Sequence, residues 1–150
     1  MYQRLEFACA ALLLASIVLL IGVAAVTRFM GAPIIWSIEV AQLLFVWLVM
    51  LAADLAMQQG RHFGLSLLVD ILPPPAQRIL EIVNYLIVLA LILFLLVYAV
   101  RNAVLMHPRL IGATQMNGSL IHAAMPFGLL LMVRTLAVQL YERIRATDAV

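Results

Sequence analysis

Four apolar stretches, at residues 7–26, 38–57, 82–100 and 120–140, leave this chain few ways to fold. Each is close to the roughly 20 residues that an α-helix needs to cross about 30 Å of hydrocarbon. A bilayer offers no water to backbone polar groups, so a spanning segment has to satisfy its own hydrogen bonds, and a helix does so. The sequence therefore predicts an all-α integral membrane protein with four transmembrane helices, near 7–26, 37–57, 79–101 and 119–140. Composition agrees. Of the 150 residues 67% are hydrophobic, and the mean hydropathy of +1.15 is too high for a water-soluble domain. The connections leave no room for a separate globular unit, so 1–150 reads as a single membrane domain.

The formal net charge of +2 comes from arginines scattered along the chain, with no lysine. Nucleic-acid binding needs Lys and Arg gathered on one face, and that pattern is missing. Cys9 stands alone, which excludes an internal disulfide and a cysteine-based metal cluster, and it reads as a small core residue of the first helix. The first apolar run is longer than the roughly 7–15 residues of a signal-peptide core, so a retained first helix is expected. Arg4, Arg61, Arg78, Arg143 and Arg145 would lie on one side of a four-span chain, and Arg28, Arg101 and Arg109 on the other. Positive residues favour the cytoplasmic side. Both termini of a multi-pass membrane protein are therefore expected there.

The connections carry their own signals. Residues 27–36 contain Gly31 and Pro33, and Ser37 is expected to cap the second helix, which would form a hairpin with the first. Gly60 is expected to end the second helix, and the Pro73-Pro74-Pro75 run to precede the third. Between them 63–72 is too short to span. Phe63, Leu67, Leu68, Ile71 and Leu72 share one side of a helical wheel and Ser66 and Asp70 another, which predicts a short interfacial amphipathic helix between helices two and three. Residues 102–118 form the expected external connection. Ser119 is placed to cap the last helix, and Pro126 to bend it.

Charge inside the spans is the strongest functional signal, because ionisable groups are costly against lipid. At about 100° per residue, Trp36, Glu39, Leu43, Trp47, Met50 and Asp54 fall on one face of the second helix, roughly 80° wide. That stripe has three readings: a docking seam for a partner's helices, an internal seam, or an ion or proton path. In the internal case Glu39 would pair with Arg28, and Asp54 with Arg61 or Arg134. At about 1.5 Å per residue the two carboxylates are roughly 22 Å apart, which argues against one shared ion site.

His62, His107 and His122 sit on three separate segments and offer neither a facing haem pair nor a zinc set. No nucleophile with an adjacent base is visible, and no glycine-rich phosphate loop. The chain does not read as an enzyme, and no metal or cofactor is expected in it.

Several short motifs in order carry a family resemblance: Arg28-Phe29, Trp36-Ser37-Ile38-Glu39, Phe45-Val46-Trp47-Leu48, Gly60-Arg61-His62, and Met125-Pro126-Phe127-Gly128 followed by Arg134. Together they resemble the small membrane subunit (DctQ-like) of the TRAP, or tripartite ATP-independent periplasmic, transporters. The chain departs from that pattern at Ala52-Ala53-Asp54, where the family often has Gly-Ala-Ala. It also departs at 64–68, where the acidic residue that commonly follows the histidine is missing until Asp70.

The resemblance implies a sodium-coupled secondary transporter of an organic acid, such as a C4-dicarboxylate, a keto acid or sialic acid. A large multi-span permease would hold the substrate and sodium, and a periplasmic substrate-binding protein would deliver the solute, with 102–118 placed to touch it. This chain would anchor the permease as a scaffold subunit, with phospholipid bound in the seam. Arg28, Trp36, Glu39, Trp47, Asp54, Arg61, His62 and Arg134 would serve the partner interface or structural pairing. The rival readings are the small subunit of a tripartite tricarboxylate transporter, a haem- or quinone-binding anchor of a redox complex, and a self-contained small exporter.

Overall fold

Helix boundaries follow from where proline and glycine are tolerated. The structure, a computed structural model, describes residues 2–59, 73–112 and 114–145. Helices α1 (Tyr2–Phe29), α2 (Ser37–Gln58) and α3 (Pro74–Leu105) are followed by strands β1 (Leu110–Ile111) and β2 (Met116–Asn117), then α4 (Gly118–His122) and α5 (Ala124–Arg145). Among the described residues four segments are long and apolar enough to cross a membrane: Gln3–Phe29, Ser37–Gln58, Ile79–Leu105 and Gly118–Glu142. Gly60, Arg61, His62 and the expected interfacial segment 63–72 lie outside the described residues.

α1 ends in a Schellman closure. Gly31 adopts φ +81°, and the amides of Gly31 and Ala32 bond back to the carbonyls of Arg28 and Thr27. The left-handed conformation explains why a glycine sits there.

Three expectations about helix starts are corrected, among them Ser119, which lies inside α4 with Asn117 at the cap position. Ser37 is the first residue of α2, not its cap, and its hydroxyl donates backward to the Ile34 carbonyl at 2.7 Å. The prolines do not lie ahead of α3. Pro73 takes the cap position and Pro74 and Pro75 open the helix, because proline lacks only an N–H that the first turn leaves unbonded anyway. Cys9 is exposed, not in the core.

The last span is broken as Pro126 predicts. α4 stops at His122 and α5 begins at Ala124, since Pro126 cannot donate to the His122 carbonyl four residues back. At the same end of the molecule β1 and β2 pair antiparallel, Leu110 opposite Asn117 and Ile111 opposite Met116. Gly112 (φ +71°) and Gln115 (φ +53°) turn the chain between them.

Neighbour relations run α1 to α2, α2 to α5 and α5 to α3. The last span, Gly118–Glu142, is the most enclosed: 28% of its spanning window is buried, against 6% for that of α3 and 11% for that of α1. A core of Ile92, Ala99, Leu129, Met132 and Leu136 joins α3 to α5, and Met50, Ala53 and Met57 bring α2 against it. Contact between α2 and α5 is close because Gly128 has no side chain. A Cβ there would come 2.6 Å from the Met50 Cβ.

Candidate functional site

From Glu39 to Asp54 the polar groups of the α2 stripe bond within the chain, to the β-hairpin connection, α4 and α5. At the hairpin end, the Glu39 carboxylate accepts from the Thr114 amide at 2.9 Å and from the Thr114 hydroxyl at 2.6 Å. Gly112 leaves the space for it, since a Cβ at that position would overlap the carboxylate. In the expectation for an internal seam Glu39 paired with Arg28; here Thr114 holds it, a residue in the connection that the wheel could not include. Gly112→Ala is expected to push Glu39 out and free the hairpin, because it adds a clash to an unfavourable positive φ. Faster hydrogen exchange at the Thr114 amide, with the helices unchanged, would register this.

In the middle of the stripe the Trp47 indole N–H donates to the Leu120 carbonyl at 3.2 Å. The Trp47 ring also packs on Phe127, with centroids 5.4 Å apart and an interplanar angle of 47°. Such a tilted pair adds about 0.5–1.5 kcal/mol beyond its buried area. The bond supplies a donor where the break between α4 and α5 interrupts the ladder. Trp36, by contrast, is 48% exposed.

The terminal end holds the densest polar cluster. Asp54 is 0% exposed. Its Oδ1 accepts from the Thr135 hydroxyl at 2.8 Å, and its Oδ2 accepts from the Gln58 amide at 2.7 Å. The same Gln58 amide donates to Glu6 of α1, and Glu6 forms an ion pair with Arg134 at 2.7 Å. Gln139 donates to the Met57 carbonyl at 3.0 Å near the end of α2. Among the described residues neutral donors hold Asp54, and Arg134, one of the two arginines expected there, is turned toward a carboxylate of α1. One cluster binds α1, α2 and α5. Its residues Gln58, Arg134, Thr135 and Gln139 line a cavity of about 580 Å³ open at that end.

Sequence reasoning missed Glu6, Gln58, Thr114 and Thr135. Gln58 was within reach of it, being four residues after Asp54 and so on the same face. Glu6 was visible as a carboxylate at the head of an apolar run. The His122 Nδ1 accepts from the Asn102 side-chain amide at 3.2 Å, tying α4 to the last turn of α3. Among the described residues, no three of His, Cys, Asp and Glu are grouped to hold a metal ion.

What these features define is a multi-pass membrane protein whose intramembrane polar groups fasten its own helices together. Two polar clusters lie at opposite ends, separated by the apolar layer of Trp47, Phe127, Met50 and Gly128. Residues 17–146 match the family described as Tripartite ATP-independent periplasmic transporters, DctQ component. The match spans most of the chain, which belongs to this family and is the small membrane subunit of such a transporter. A comparison with curated proteins finds no match.

Proposed function

We propose that this subunit is the anchoring scaffold of a sodium-coupled importer of an organic acid, embedded in an inner membrane with both termini in the cytoplasm. The family works with a large permease and a substrate-binding protein, and in this reading those two proteins hold the solute and the sodium. One observation carries the proposal: the polar groups of the α2 stripe and of the terminal cluster are spent on joining the chain's own helices. Glu39, Trp47, Asp54 and Arg134 each bond within the chain. The two clusters do not meet across the bilayer, which favours a rigid support over an ion path.

A scaffold of this kind has to resist bending while its partner moves. Cross-ties at both ends and a close α2–α5 contact in the middle provide that stiffness. The hairpin presents Leu110, which is 57% exposed, to the solvent side, where the substrate-binding protein would dock. Proteoliposomes holding the permease with and without this chain test the reading. A labelled C4-dicarboxylate, a keto acid and sialic acid are supplied in turn with the binding protein under an inward sodium gradient. Uptake of one acid only when both membrane subunits are present is the expected result. Equal uptake by the permease alone would overturn the scaffold role.

A further inference from the structure

The ends of α1 and α2 that flank the Gly31 turn line a cleft of about 550 Å³. Its walls are Ile21, Ala24 and Ala25 of α1 and Ile34, Ile35 and Ile38 across from them. The two alanines make the room, since any longer side chain would project into it. Ser37 lies at its base but is 2% exposed, with its hydroxyl already committed to Ile34. The interior is therefore apolar.

Arg28 stands at the rim, in the last turn of α1, one turn beyond Ala24 and Ala25. Among the described residues its guanidinium makes no hydrogen bond or ion pair. The Schellman closure occupies the nearby carbonyls of Thr27 and Arg28, so the polar chemistry offered at the mouth is the arginine itself. The cleft also lies where two helices long and apolar enough to cross a membrane, Gln3–Phe29 and Ser37–Gln58, meet at their ends.

We propose that this cleft binds one phospholipid, its phosphate on Arg28 and the upper part of an acyl chain between α1 and α2. Charge complementarity selects the headgroup, because guanidinium and phosphate pair through short, charge-assisted hydrogen bonds. Apolar walls select the chain. A free anion would find one cation and no second donor, and a neutral lipid would leave the guanidinium unpaired. The volume falls in the range of about 300–1,000 Å³ typical of small-molecule sites. Bound there, the lipid would fill the gap between the helix ends. The inference stands apart from the scaffold role, since it concerns the chain and the bilayer alone.

The test is native mass spectrometry of the full chain in detergent, titrated with palmitoyl-oleoyl phosphatidylglycerol. Parallel titrations use the matching diacylglycerol, which has chains without phosphate, and inorganic phosphate, which has charge without chains. One phosphatidylglycerol per chain should be retained, and neither control ligand. Arg28→Gln should weaken retention roughly tenfold, the loss of about one charge-assisted contact, whereas Arg28→Lys should keep most of it. Ala25→Phe should abolish retention by filling the cleft. Arg101→Gln and Arg109→Gln, at the same end of the molecule, should leave it unchanged. If Ala25→Phe fails to fold, the surface variants at 28, 101 and 109 still decide the matter. Wild-type retention by Arg28→Gln, equal weakening in all three arginine variants, or equally tight diacylglycerol or phosphate binding would each overturn the proposal.

Discussion

Asp54→Ala lowers the unfolding free energy of the isolated chain by about 1–3 kcal/mol, the cost of leaving buried polar groups without partners. The Thr135 hydroxyl and one hydrogen of the Gln58 amide lose their acceptor at a site with no solvent exposure. Inside a membrane the loss falls toward the lower end, because these groups also find partners in the unfolded reference state. Asp54→Asn should cost less than half as much, since its carbonyl still accepts from Thr135. Denaturing-detergent titration of the purified chain, followed by circular dichroism, measures both variants. A residue whose role is to meet another subunit would show the opposite: normal stability alone and weakened assembly. If Asp54→Ala is as stable as the parent, the terminal cluster does not hold the helices together.

Gly128→Ala is the second large effect, arising from overpacking in place of a lost bond. Its new methyl would stand 2.6 Å from the Met50 Cβ, so α2 and α5 would have to separate. Forced enlargement of a tight contact costs about 1–3 kcal/mol. Here the separation would also pull Trp47 from Phe127 and Asp54 from Thr135, since all lie along the same seam. Met50→Ala should fail to rescue it, because alanine keeps the Cβ that clashes, whereas Met50→Gly should restore most of the stability. Thermal melting of the three variants gives the answer. Rescue by Met50→Ala would mean that the flexible thioether, not helix approach, sets the spacing.

These variants leave the hairpin and the α3 surface untouched, so their effect on assembly can be read separately. Each can be co-purified with the permease at a temperature where its own fold is intact. An internal seam predicts that association survives whenever the chain is folded. The exposed faces of α1 and α3 are then the surfaces left for lipid and protein neighbours, consistent with their low burial.

Much of the architecture was legible in the residues alone. Apolar run length dictates spanning helices, because hydrocarbon thickness admits nothing shorter. Gly31 and Pro126 mark a reversal and a break for reasons local to the backbone, and both occur where those reasons place them. The α2 stripe was also legible as a stripe, since angular position depends only on helical geometry. Its meaning was not. A wheel shows that Glu39, Trp47 and Asp54 share a face, but not what lies opposite. Thr114, Phe127 and Thr135 are 75, 80 and 81 positions away from their partners. Only the packing of α5 between α2 and α3 brings them close, and that order depends on side-chain fit at places such as Gly128.

Sequence by itself thus determined which segments are long and apolar enough to enter the bilayer, where the last one bends, and which transporter family the chain resembles. Tertiary structure alone decided that Glu39 and Asp54 bond within the chain, that Arg134 reaches Glu6, and that Arg28 lines a cleft between α1 and the start of α2. The physical reason is range. Hydrophobic length, proline and glycine act over a few residues. A buried carboxylate is instead satisfied by whichever donor the distant helices deliver to it.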